Sequence, residues 1–553
     1  MKKTLAIIFA VLLAFGLAAC GGGDGEDGNS QAASGSDLEL VTDGKSEFTI
    51  VYPEGAAEAV MDTAFRLRDE LAAATGATFK ISEDMAIGDG TGKKEILVGL
   101  TDRPESTEIL SEMSQSGDYI AKAAGEKIVL QAMITPGLGE VVDAFVESIK
   151  TNGTTVAADF VINGQSESMV KYLPAFTHGE FEFSYDCGDD AMMLSYQADQ
   201  TGYDAYLSDL TQAGFTQYST NKLGDNSFAV YTRESDNVEV HLSLFPVLSV
   251  MHITAEPITY LPALQPETVE AKVTPSISML GLEGYDTSGS PNQIGESFVF
   301  QTSAGNFIIY DGGHNNQLPS DNIYNKLVEL APDPENIVID AWFISHAHAD
   351  HMGAIKWFTK DHAKDVTLKL LVMNLPSDEA ISVASEYVEN ANHDLRECAA
   401  QYEGCQVFKM HMGQVLYLDD AVVTCYGTYE MIAPQSLEYF NNSCMLEYID
   451  LGGQRINMMG DCAPLETAVL TQIYKDQDLK CDIVQICHHG YQGASSDLYK
   501  LLAPDYAFWP GGSRSYENYK EESYNVWVLR TVKKLWIAED KLVTELLPIT
   551  YEG

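Results

Sequence analysis

The stretch that decides the reading is His346-Ala347-His348-Ala349-Asp350-His351, which directly follows the apolar run Ala341-Trp342-Phe343-Ile344-Ser345. Three histidines and a carboxylate fall within six residues, and a turn from strand to helix converges them on one point. Neutral imidazoles and carboxylates are the ligands of zinc and similar divalent ions. Two further elements lie downstream: Gly460-Asp461 at the end of the strand-like run from Arg455, and His488-His489-Gly490 after the run Asp482 to Cys487. Five of the twelve histidines therefore sit in two short tracts, each at a strand end, which an unrelated surface or core role does not explain.

His-x-His-x-Asp-His followed by Gly-Asp and a late histidine resembles the metallo-β-lactamase superfamily. Ile308-Ile309-Tyr310-Asp311-Gly312-Gly313 resembles the family's early strand-and-aspartate motif. The resemblance covers most of the chain from residue 275 to residue 553 and implies an αβ/βα sandwich. It implies that His346 and His348 bind a first metal, that Asp350 and His351 bind a second, and that Asp461 bridges both. A late histidine completes the second site; His488 and His489 both fit, and spacing does not choose between them. Asp311 would orient the turn that carries the histidines. The implied cofactor is a pair of divalent ions, zinc by default, with manganese or iron suited to the same ligands.

Many members of that family carry another histidine between the first motif and the Gly-Asp. Here the interval offers His362, His393 and His411, none in a matching context, and the corresponding region reads Asn441-Asn442-Ser443-Cys444. Together with His488-His489-Gly490-Tyr491, this resembles the subgroup of DNA-uptake (competence) proteins and phosphorylcholine esterases of bacterial surfaces. That implies a metal-activated hydroxide attacking a phosphodiester or phosphoester, either in an envelope polymer or in a small extracellular nucleotide. Asp350 and Asp461 would be the catalytic carboxylates, Asp350 orienting the nucleophile or moving its proton. His314, Asn442, Tyr491, Ser495 and Ser496 lie on loops beside the ligand motifs and are candidates for gripping substrate. Capping or turn roles are equally good readings of these five. A β-lactam or lactone hydrolase is the alternative among enzymes. A non-catalytic, glycan-binding envelope lipoprotein with a vestigial metal domain is the alternative outside them.

The first residues read as an export signal. Lys2 and Lys3 precede an apolar run from Leu5 to Leu17 that is short for a bilayer span. Leu17-Ala18-Ala19-Cys20 resembles a bacterial lipobox, which implies cleavage before Cys20 and a lipid on that cysteine. Residues 1–20 are then the signal, and the Gly-rich residues 21–37 a flexible tether. The expected place is extracytoplasmic, lipid-anchored to the cell membrane. A formal net charge of −48 counts against a broad electrostatic grip on nucleic acid or anionic lipid. Nothing resembles a basic, aromatic-lined groove, so long nucleic acid is set aside as a partner. The eight cysteines from Cys187 to Cys487 show no C-x-x-C spacing and read mostly as buried small hydrophobes.

A length of 553 residues suggests about three domains at ~150 residues each. Residues 38–165 read as α/β, with a helix from Ala56 to Ala74 ended by Gly76 and another from Gly139 to Ile149. Glu95 to Pro104 resembles the non-catalytic N-terminal domain of several glycoside hydrolases and carries no site. Residues 166–274 read as α+β, ending in a proline-bearing linker from Ile258 to Thr274. His178, His241 and His252 are isolated there and read as satisfied strand residues. In the last domain Phe298 to Tyr310 reads as one strand-like run. Helical periodicity fits Asp378 to Gln401, Pro464 to Tyr474 and Asn518 to Leu535. The fold class expected is α/β: a C-terminal αβ/βα sandwich preceded by two small α/β or α+β domains.

Overall fold

The computed structural model describes residues 36–551, save 281–294, 383–387, 389, 434–439, 476, 478 and 539–542. The export signal, Cys20 and all but the last residues of the tether lie outside the described residues. Among the described residues no helix is long and apolar enough to cross a membrane.

Two sheets build the C-terminal half. In the first, strand Ile337–Ile344 lies between Phe307–Tyr310 and Leu370–Met373 and pairs in parallel with both. In the second, Gln454–Met458, Ile483–Gln485, Tyr506–Trp509 and Lys534–Ile537 run in parallel. Each sheet continues on its other side as an antiparallel meander. Strands such as Phe307–Tyr310 are apolar throughout because the sheets are covered on both faces. Phe300, Ile308, Phe343 and Val372 of one sheet meet Val423, Ile449, Ile456 and Phe508 of the other in a shared core. Helices Gln317–Leu330, Ala354–His362 and Ala391–Ala399 cover the outside of the first sheet through Ile323, Phe358 and Leu395. Helices Pro464–Ile473, Ser496–Leu502 and Val526–Thr531 cover the second through Leu470, Leu498 and Val528. The result is the αβ/βα sandwich.

Two smaller sheets precede it. Parallel strands Lys80–Glu83, Thr49–Tyr52, Glu95–Val98 and Lys127–Ala132 carry an antiparallel extension and are packed by helices Glu58–Thr75 and Thr135–Asn152. Six antiparallel strands between Glu180 and Pro257, backed by helix Gln200–Gln212, form the other.

Several expectations change at the level of elements. Phe298 to Tyr310 is a hairpin, Phe298–Gln301 paired with Phe307–Tyr310 around Gly305 at φ +91°. The polar stretch Thr302-Ser303-Ala304-Gly305-Asn306 between the two apolar runs is a turn signal that the one-strand reading passed over. Asn518 to Leu535 is not one helix. It holds the end of helix Ser513–Tyr519, helix Val526–Thr531 and the start of strand Lys534–Ile537. Asp378 to Gln401 holds two helices, Asp378–Ser382 and Ala391–Ala399, with residues between them outside the described set. Strand Thr216–Leu223 went unread because it is a polar edge strand.

Candidate metal centre

The loops at the carboxyl ends of the parallel strands meet at one edge of the sandwich. Strand Ile337–Ile344 ends at Ser345, and the chain turns through His346 and His348 into the short helix Ala349–Met352. Gly353 makes this turn possible: a Cβ there would lie 2.2 Å from Asn315 N and 2.3 Å from Ala349 O. From the second sheet, Gly460 at φ +50° presents Asp461, with room for nothing larger because a Cβ would meet Ser345 Oγ at 2.7 Å. His488 and His489 both hold φ +52°, a left-handed backbone uncommon for non-glycine residues. The interactions around them hold that conformation in place.

Asp461 Oδ2 lies 3.1 Å from His351 Nε2 and 3.3 Å from His489 Nε2. His351 Nε2 is 3.2 Å from His489 Nε2, and Asp350 Oδ2 is 3.3 Å from His489 Nε2. Ligands at about 2.0–2.2 Å from a tetrahedral zinc stand about 3.3–3.6 Å apart, so the donor set fits such an ion. Asp350, His351, Asp461 and His489 form one candidate group, and His346, His348 and Asp461 a second. Asp461 is common to both. Its Oδ1 is buried with no hydrogen-bond partner. His346 Nε2 and His348 Nδ1 face each other at 2.8 Å.

The sequence left His488 and His489 equivalent; the geometry separates them. His489 is buried among the ligating atoms, whereas His488 Nε2 stands 3.7 Å from Asp461 Oδ2 and belongs to neither group. His488 Nδ1 faces Gln492 O at 2.9 Å, and its Nε2 faces Asn441 Nδ2 at 3.1 Å.

Asp311 sits behind the turn, wholly buried. Its carboxylate accepts hydrogen bonds from Ser345 N (2.8 Å) and Ser345 Oγ (2.7 Å), and its Oδ2 lies 2.7 Å from His351 Nδ1. This fixes the ring so that Nε2 points at Asp461. Burial opposes charge throughout the site, yet His351 is held well above the usual imidazole range by Asp461, Asp311 and Asp350. Asp461 is held well below the usual carboxylate range, where His351, His489 and His488 outweigh its burial. Burial, aided by the neighbouring His351 and His348, holds His346 neutral.

The substrate candidates fare unequally. Tyr491 packs on Tyr519 with ring centroids 4.4 Å apart and lies 5.6 Å from the His488 ring. Asn442 Oδ1 accepts from Glu466 N at the start of helix Pro464–Ile473. Ser495 Oγ accepts from Leu498 N and caps the helix that Ser496 begins. Both of these are structural duties. His314 lies on the loop packed against Gly353.

Sequence reasoning placed Asn441 in the Asn441-Asn442-Ser443-Cys444 stretch but did not single it out as the neighbour of His488. It missed Gln485, whose Nε2 donates to Glu296 Oε2 (2.8 Å) and to Gly460 O (2.9 Å) behind the site. No spacing marks Gln485. The histidines read as isolated divide: His178 Nε2 pairs with Asp209 at 2.6 Å, and burial lowers His252 to about 4. His241 is not isolated but stacks on His411, ring centroids 3.7 Å apart. All eight described cysteines are unpaired, and seven of them are buried.

No family model matches the sequence, and no curated protein matches it. Among solved structures, part of the chain is similar to the metallo-β-lactamase fold protein YhfI from Bacillus subtilis. The identity is 13%, covering 49% of this chain and 100% of that one, with a TM-score of 0.32. It is also similar to CmlA, a diiron β-hydroxylase from Streptomyces venezuelae. There the identity is 11%, covering 53% of this chain and 55% of that one, with a TM-score of 0.29.

Proposed function

We propose that the chain is a metal-dependent hydrolase of the metallo-β-lactamase superfamily, lipid-anchored through Cys20 outside the cell membrane, that cleaves a phosphodiester or phosphoester. The observation that carries this reading is the sharing of Asp461 between the two groups of converging histidines and carboxylates. His346, His348 and Asp461 would hold one divalent ion; Asp350, His351, Asp461 and His489 would hold the other. Bound ions of this kind supply Lewis acidity that activates water and stabilises negative charge developing on a phosphoryl oxygen.

The chain's own residues do the rest. Asp350 is partly exposed, unlike the other ligands of its group. His351 and His489 outweigh its burial to hold its carboxyl well below the usual range, so it stays ionised and can accept a hydrogen bond that orients an attacking water. Asp311 keeps His351 aimed. His488 and Tyr491 form the open side of the centre, where a substrate is oriented. The phosphoester preference is supported by the Asn441-Asn442 stretch standing where a third histidine would be, and by the first group holding two histidines among the described residues. The net charge of −48 favours a small or envelope-polymer substrate over long DNA.

Full-length protein and its His351→Ala/Asp461→Ala variant are expected to differ by about two divalent ions per chain in elemental analysis. The parent should hydrolyse bis-p-nitrophenyl phosphate in a chelator-sensitive way and leave the lactam reporter nitrocefin intact. His348→Ala should abolish turnover without unfolding the protein. Turnover of nitrocefin alone would replace the substrate class, and bound metal with turnover of neither would move the reading to a binding protein.

A further inference from the structure

A second group of imidazoles and carboxylates is buried at the seam between the antiparallel domain and the sandwich. Glu239 and His241 come from strand Val238–Phe245 and Glu256 from strand Val250–Pro257. Lys409 ends strand Gln406–Lys409 of the sandwich, His411 follows it, and Glu430 lies in the turn Tyr429–Met431. His241, Glu256 and His411 are 5%, 6% and 2% exposed.

Glu256 Oε1 lies 3.0 Å from His411 Nε2 and 3.5 Å from His241 Nε2. These spacings bracket the ~3.4 Å separation of ligands around a tetrahedral zinc. Glu239 Oε1 is 2.9 Å from His241 Nε2 but stands outside the group formed by His241, Glu256 and His411. His411 Nδ1 faces Glu430 Oε1 at 2.8 Å, the carboxylate–histidine arrangement that turns the other ring nitrogen toward a metal. Neither ring nitrogen of His241 makes a hydrogen bond, because the short contact to Glu239 is misaligned for one. A buried polar atom left in this way is costly.

Charge leads to the same occupant. Lys409 Nζ, 3.1 Å from Glu256 Oε2, balances one of the three carboxylates. With neutral imidazoles, two negative charges remain uncompensated in a buried place, which is unfavourable unless a cation joins them. Protons compete for this role, because Glu430 and Glu256 raise His411 to about 10 against its burial and a carboxyl can carry a proton as well. The His241 and His411 rings stack at 3.7 Å with 22° between their planes, so a proton on both rings at once is disfavoured.

We propose that His241, Glu256 and His411 bind a divalent transition-metal ion such as zinc that pins the antiparallel domain to the sandwich. The site is separate from the centre around Asp461 and does not depend on that centre's chemistry.

The test uses full-length protein prepared with zinc. Crystals measured at the zinc absorption edge should show an anomalous peak among His241, Glu256 and His411. Elemental analysis should show His241→Gln/His411→Gln losing about one zinc per chain relative to the parent, while His351→Ala/Asp461→Ala keeps that ion. An absent peak at the seam, or equal zinc content in parent and His241→Gln/His411→Gln, overturns the proposal and leaves a proton-held ion-pair network. The crystal measurement needs no variant, so misfolding of the double variant cannot mask the answer. Zinc at the seam with none around Asp461 would sink the proposed hydrolase and leave this site standing.

Discussion

At the residue scale, the site turns on which side chains touch Asp461. His489 Nε2 lies 3.3 Å from Asp461 Oδ2 and is buried, whereas His488 Nε2 is 3.7 Å away and a quarter exposed. His489→Ala is therefore expected to lower divalent-metal content and turnover together. His488→Ala should keep the metal and change KM or kcat alone, and parallel metal analysis and kinetics on the two variants distinguish them. Asp311→Asn removes the acceptor that aims His351, and a lost partner of this kind typically costs ~10–100-fold in metal affinity. Competition with a chelator measures that loss.

Asp340 gives a pH prediction away from the metal centre. Burial, opposed by Lys369, raises its carboxyl to about 6. The folded chain therefore binds this proton more tightly than the unfolded chain, whose carboxyl titrates near ~3.9. Its contribution to stability falls as pH rises between those values and stays low above the upper one. Asp340→Asn should flatten that slope and raise Tm at pH 7 by roughly 2–4 °C, read from melting curves between pH 4 and 8.

At the scale of elements, the turn after strand Ile483–Gln485 stores backbone strain beside the chemistry. His488 and His489 stay left-handed because Asp461 and Asn441 engage their rings and Gly490, at φ +84°, follows. A Cβ on Gly490 would lie 1.8 Å from the Trp509 ring. Gly490→Ala should accordingly destabilise the fold by about 3 kcal/mol or more, through overpacking and strain combined, and chemical denaturation would show it. The elements also show where pattern reading stops. Ile337–Ile344 is a buried parallel strand whose apolar run ends at the first histidine, so its position was legible. Phe298 to Tyr310 was misread although Thr302 to Asn306 spells a turn, whereas the breaks in Asn518 to Leu535 are set by which core each apolar residue joins. Leu529 and Val532 pack with the helices outside the second sheet, whereas Trp536 lies against the core between the sheets.

At the scale of the whole molecule, the antiparallel domain packs directly on the sandwich. Asn221 Nδ2 donates to Gly413 O at 2.9 Å, Asp225 N to Gln477 Oε1 at 2.8 Å, and Asn226 Nδ2 to Ile473 O at 3.2 Å. Gly413, at φ +83°, lies so close to Phe228 that a Cβ would meet its ring at 2.1 Å. Gly413→Ala should push the two units apart. Calorimetry is expected to show the single unfolding transition of the parent split into two; a unimodal transition at the parental Tm would show that the seam does not couple them.

The sequence by itself determined the ligand types and their local order, because His346, His348, Asp350 and His351 occupy one turn and a strand-to-helix bend must bring neighbours together. It also determined the apolar strands that present them. Only the tertiary structure decided what depends on residues far apart in the chain: Asp461 as the shared carboxylate, His489 over His488, and the support of His351 by Asp311 across forty residues. The meeting of His241 and Glu256 with His411 belongs to the same class, since more than 150 residues separate Glu256 from His411. No period or spacing encodes such an encounter, and the packing of one domain on another creates it.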